Sequence, residues 1–151
     1  MNFCEKTAFS VTFLFNIVAI CSDLMMVVLA LGDGTIQLVD TDTGSVKKVF
    51  KSDIKPEDSV TISTSSTNAI VSFITEPTAY EEMPKLTHIM IDLAKLDFVK
   101  IETYLPDLFT LKSTSSPDSV FTVVESVNND RRKLVHVVNM IRREILSKSA
   151  D

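Results

Sequence analysis

The sequence predicts an all-β chain built from three copies of one four-stranded antiparallel unit. Three observations carry that prediction. Val, Ile, Thr and Phe dominate the apolar runs, and Gly or Pro punctuates their ends. The same order of short strands and turn residues recurs three times along the chain. Runs such as 25–31 and 69–74 are almost continuously apolar, as expected of strands covered on both faces. Gly32-Asp33-Gly34 ends the first of these runs after seven residues, which is too short for a helix.

The elements follow in order. Residues 1–16 form an N-terminal segment, expected to supply an outer strand to a neighbouring unit. The first unit, about 17–50, reads IVAI, MMVVLAL, TIQLVD and SVKKVF, with turns at CSDL, GDG and TDTG. The second, about 60–102, reads VTIST, AIVSFIT, LTHIMID and FVKIE, with the insert EPTAYEEMPK between its second and third strands. The third, about 109–148, reads FTLKST, SVFTVVES, LVHVVN and EILSK, and 149–151 is a tail. Asp40, Asp92 and Asn139 each close a third strand, at intervals of 52 and 47 positions. Four strands repeating every ~40–50 residues is the signature of a β-propeller blade. The predicted fold is therefore all-β, with about three four-stranded antiparallel blades of an incomplete β-propeller. Closed propellers use roughly four to eight blades, so three should leave two apolar blade faces uncovered. The chain is thus expected to be one piece of a longer propeller or to complete its ring with a second copy.

On these residues the chain resembles the WD-repeat family. Val39-Asp40, Ile91-Asp92 and Val138-Asn139 stand where that family has its Trp-Asp pair, and ALGDGTIQLVDTDTG is similar to its second and third strands with their turns. More distantly, the chain resembles the degenerate propellers attached to NACHT-type ATPases. The resemblance covers most of residues 17–148 and implies a protein-binding scaffold without catalysis. There is no Trp and there are only three Gly, so the family's Asp-His-Ser-Trp hydrogen-bonding set is absent.

Composition narrows the partners. A chain of 151 residues with 45% apolar and 23% charged residues is globular and normally a single domain. The net charge of −5 argues against nucleic acid, because basic residues cluster only in short runs such as Arg131-Arg132-Lys133 and Arg142-Arg143. Cys4 and Cys21 are too few for a disulfide framework, and two reduced thiols suit a cytoplasmic protein. Membrane insertion is disfavoured because Asn16, Ser22 and Asp23 interrupt the apolar stretch 13–31. A cleaved secretory signal is the rival reading, with Lys6, an apolar stretch from Ala8 and a small-x-small ending at Ala19-Ile20-Cys21. On that reading the chain is a secreted or membrane-tethered all-β protein.

No catalytic constellation stands. Asp42-Thr43-Gly44 spells the loop of a retroviral-type aspartic protease, whose chemistry needs two carboxylates sharing a proton; those folds resemble one another in a second, downstream motif, an apolar pair followed by Gly, and no Gly follows Gly44. Asp, Thr and Gly are turn formers for plain backbone reasons, and a hairpin turn is required there. Nucleophile elbows, phosphate-cradling loops and zinc-protease helices are missing. His88 and His136, 48 positions apart, could meet across adjacent blades. Metal binding would want a third and fourth ligand, so both are expected to sit near strand ends, bonded to backbone or water. The expectation is no enzyme, no cofactor and no metal.

Partner binding is expected on loops. In an antiparallel blade the second-to-third strand turns and the blade-to-blade connections emerge at one end. Those are the longer segments here, at 51–59, 76–85, 103–108 and 127–133, whereas 65–68 and 115–118 at the other end are short. Within the insert, Tyr80, Glu81, Glu82 and Met83 are the candidate partner-binding residues, with aromatic and Met side chains ringed by carboxylates.

Overall fold

The computed structural model describes residues 17–21, 26–55, 58–64, 68–77, 83–106, 108–115, 121–127, 133–139 and 142–150. Strands β1 (Ile17–Cys21), β2 (Met26–Leu31), β3 (Thr35–Asp40) and β4 (Val46–Lys51) form one antiparallel sheet in that order. Strands β5 (Ser59–Thr64), β6 (Asn68–Thr75), β7 (Lys85–Asp92) and β8 (Asp97–Tyr104) form a second. Strands β9 (Thr110–Ser115), β10 (Phe121–Val127), β11 (Lys133–Asn139) and β12 (Glu144–Ala150) form a third. No helix occurs among the described residues. β5 lies against both β1 and β9, so the first strands stand together and β4, β8 and β12 lie outermost. These are three propeller-type blades, as the repeat predicts.

Two cores hold the blades face to face. Val28, Ala30, Ile36, Leu38 and Phe50 of the first sheet meet Ala69, Val71, Phe73, Ile89 and Ile91 of the second. Ile70, Ile74, Leu86 and Met90, on the opposite face of the second sheet, meet Leu111 and Val138 of the third. β6 therefore feeds alternate residues into two cores, which is why its sequence is apolar without alternation. Each buried Val, Leu, Ile, Phe or Met among them contributes roughly 1.5–3 kcal/mol. β4 and β8 are largely exposed; β4 is anchored by Phe50, whose ring meets that of Phe98 on β8 edge-on at 4.6 Å.

The expectation of two open apolar faces fails at the first sheet. Val27, Leu29 and Leu31 alternate with the inward Val28 and Ala30, yet they too are fully buried. β2 is covered on both faces within this chain, so its apolar run leaves no open surface. On β11, His136 and Val138 are buried inward, while Val135 and Val137 on the other face are only half-buried.

The three residues that mark the repeat share one structural task. Asp40 Oδ1 accepts hydrogen bonds from the amides of Asp42 and Thr43 (2.8 and 3.2 Å). Asp92 Oδ1 accepts from Ala94 and Lys95 (both 2.9 Å), and Asn139 Oδ1 from Arg142 (2.9 Å). A short oxygen-bearing side chain caps the turn that its own strand enters. Four residues on, Gly44, Leu96 and Arg143 all have left-handed backbones, with φ of 72°, 58° and 57°. For Leu96 and Arg143 this costs about 1–2 kcal/mol each. The cost is offset by contacts to the preceding blade. Leu96 packs against the core shared with the first sheet. Arg143 Nη2 reaches Asp92 and Asp97 of the second sheet (3.2 and 2.5 Å).

Candidate functional site

The loop end is built from the turn between β2 and β3. Asp33 Oδ1 accepts from the Thr35 amide and hydroxyl (3.0 and 2.7 Å), which tightens the turn. Gly34, at φ 90°, then turns its carbonyl to the connection that leaves β4, accepting from the Ser52 amide (2.6 Å) and hydroxyl (3.0 Å). A Cβ on Gly34 would stand 2.9 Å from the Ser52 carbonyl oxygen, so this approach requires glycine. In the second sheet the Leu105 amide donates to the Pro84 carbonyl (2.8 Å). The turns and the blade-to-blade connections are thus stitched together at one end, as strand direction requires.

Charge and apolar surface meet there. Lys85 Nζ bonds Glu102 (2.6 Å) and lies 3.7 Å from Asp53, while Lys100 lies 3.6 Å from Glu102. The hydrogen bond to Glu102 raises the Lys85 ammonium above its ordinary range, against the smaller effect of burial. The same bond lowers the Glu102 carboxyl. A cleft of about 110 Å³ opens beside them between the first two blades, floored by Phe73 and Ile89 and flanked by Lys51, Ser52, Asp53 and Lys100. Met83, Tyr104 and Leu108 are 49%, 67% and 46% exposed, and all three lie at this end of the second sheet. Of the candidate binding residues, Met83 is on the surface; Tyr80, Glu81 and Glu82 lie outside the described residues. Tyr104, Leu108 and the cleft escape a reading of the sequence, because a strand's last residue and a core Phe carry no local sign of shared surface.

Asp42 lies exposed in the turn between β3 and β4, at the opposite end. The hydroxyls of Thr43 and Ser45 share a hydrogen bond of 2.8 Å, and the Gly44 amide donates to the Asp40 carbonyl (2.8 Å). The amides of Asp42 and Gly44 and the hydroxyls of Thr43 and Ser45 all serve the turn.

The histidines lie not near strand ends, as expected from the sequence, but against each other in the middle of a blade junction, where they share a hydrogen bond. Ser72 Oγ lies 2.7 Å from His88 Nδ1, and His88 Nε2 lies 2.7 Å from His136 Nδ1. The rings are 5.0 Å apart, centre to centre. Burial, and secondarily the neighbouring ring of His136, lowers the pKa of His88 to about 3, so it is neutral at pH 7. A Ser-His-His chain has the outline of an activated nucleophile. Ser72 and His88 are 1% and 0% exposed, however, and no substrate reaches them. No group of three or more metal-ligating side chains converges among the described residues.

No protein-family model and no curated protein matches the chain. Among solved structures it is similar to the WD40 domain of SCAP from fission yeast, with a TM-score of 0.52 at 12% identity. The likeness is one of fold alone. It covers 89% of this chain and 31% of the other, so the chain spans about a third of the WD40 chain it matches.

Proposed function

We propose that this chain is a non-catalytic β-propeller scaffold that holds a protein partner at its loop end, in the cytoplasm. The observation that carries the reading is the grouping of Met83, Tyr104 and Leu108, three large exposed apolar side chains, around the loops tied by Leu105 and Pro84. Exposed aromatic and Met side chains on rigid elements are what interface centres use. Tyr80, Glu81 and Glu82 directly precede Met83 in sequence and are included in the reading on that ground. The reading assigns no cofactor, metal or nucleic acid, and it includes either further blades in a longer chain or association with a second copy. The likeness to a WD40 fold supports it.

Proximity labelling followed by crosslinking tests the assignment. Crosslinks should fall on 51–59, 76–85 and 103–108, and Tyr104→Ala with Met83→Ala should weaken binding at least ~10-fold without unfolding the chain. Crosslinks concentrated on 65–68 and 115–118 would overturn it. The secreted alternative is separated by the mature N-terminus: a start at Ser22 would favour it.

A further inference from the structure

The junction between the first two blades is filled along part of its outer edge and open along the rest. Phe98 and Lys100 on β8 are the register partners of Ile91 and Ile89, which belong to the core shared with the first sheet. Strand alternation therefore sets Phe98, Lys100, Glu102 and Tyr104 on the face turned to that sheet. Phe98 closes the gap by meeting the ring of Phe50. Two residues on, the same face carries Lys100 instead, and β4 has ended. Past Lys51 the chain turns inward, tied at Ser52 to the Gly34 carbonyl and buried at Ile54. The cleft of about 110 Å³ is the space left between this connection and β8, with Phe73 and Ile89 at its floor.

Its charges are unequally matched. Asp53 and Glu102 are both held by Lys85, at 3.7 and 2.6 Å. Lys100 reaches only the same Glu102, at 3.6 Å, and Lys51 makes no ion pair among the described residues. Lys51, Lys85 and Lys100 thus outnumber Asp53 and Glu102, in a chain whose net charge is −5. The two lysines left over flank the opening.

We propose that this cleft anchors a short acidic segment of a protein partner, which sets one aliphatic side chain on Phe73 and Ile89 and flanking carboxylates on Lys51 and Lys100. The inference rests on the reading of the loop end as a binding face and names the chemistry that face selects. An enclosed apolar cavity of roughly 150 Å³ holds a benzene ring, so a space of about 110 Å³ suits one aliphatic side chain. Its floor belongs to the core between the blades, so the site is formed before anything binds. A basic segment would meet like charge at both lysines. Tyr104 continues the face of Lys100 and Glu102, so a segment leaving the cleft runs on to that exposed ring.

Selection of random peptides of about nine residues, displayed on phage against the full chain, tests this. The recovered peptides should share one Leu, Ile or Val with Asp or Glu close beside it. A synthetic peptide of the recovered sequence should lose about 10-fold in affinity when that aliphatic residue becomes Ser. Lys51→Gln with Lys100→Gln, two exposed positions, should weaken it about 5-fold and flatten its salt dependence. Lys51→Arg with Lys100→Arg should retain binding. No recovered peptide, recovered peptides without the acidic and aliphatic pairing, or affinity indifferent to the Ser or Gln changes would overturn the proposal. The Tyr104→Ala, Met83→Ala variant separates it from the reading beneath it. Partner binding that is lost in that variant yet indifferent to Lys51 and Lys100 sinks the cleft and leaves the scaffold reading in place. Partner binding indifferent to both pairs sinks the two together.

Discussion

At the residue scale, the glycines and turn caps state what each position tolerates. Gly34→Ala forces an L side chain into φ 90° and against the Ser52 carbonyl, both backbone constraints. We expect a loss of about 2 kcal/mol in urea unfolding. Gly44→Ala meets only the left-handed backbone, which Leu96 and Arg143 already adopt at matching positions, so about 1 kcal/mol is expected. Asp92→Asn keeps the cap that Asn139 supplies in the third blade and loses only charge toward Arg143. It should cost less than Asp92→Ala, which also orphans the Ala94 and Lys95 amides, by about 1 kcal/mol. Asp42→Asn should leave both stability and binding unchanged. Peptide cleavage at acidic pH that vanished in this variant would contradict the scaffold reading.

At the element scale, the strands and their order were legible because turn residues recur at fixed offsets from Asp40, Asp92 and Asn139. The continuous apolar runs also announce two covered faces. The histidine pair was legible only in phase. The His88–His136 spacing of 48 exceeds the Asp92–Asn139 interval of 47 by one residue. Because strand side chains alternate, that single residue places the two rings on opposite faces of equivalent strands, and so toward each other across the junction. No such arithmetic yields the exposed trio at the loop end, since it depends on how neighbouring connections fold over one another. The Arg143 bridge also joins elements. Arg143→Gly relieves the left-handed backbone but removes the reach to Asp92 and Asp97. The pairs are partly screened, so the two effects should leave net stability within about 1 kcal/mol of wild type. Exchange should nevertheless rise selectively in β11 and β12. A rise spread evenly over all three sheets would remove the bridge from its role as a blade clasp.

At the scale of the whole molecule, the open question set by the repeat is what meets the outward face of the third sheet. The first sheet turns Val27, Leu29 and Leu31 outward and buries them, whereas the third leaves Val135 and Val137 half-buried on its outward face. The chain matches 31% of a WD40 chain, and in a closed propeller each blade face is covered by a neighbouring blade. A β-branched stripe on a sheet face is a packing surface, and leaving it wet forgoes roughly 1.5–3 kcal/mol per side chain. We therefore expect the isolated 151-residue chain to associate through this face, giving a molar mass above that of one 16.8 kDa copy by light scattering. Val135→Glu with Val137→Glu should return it to a monomer, because a carboxylate cannot enter an apolar contact unpaired. The double variant should keep a cooperative unfolding transition, since both positions point away from the core around Val138. A wild-type chain that runs as a sharp monomer with one unfolding transition would show that three blades suffice. Association that survives both glutamates would place the contact elsewhere, with the exposed Val46 and Val49 of β4 as the next edge to change.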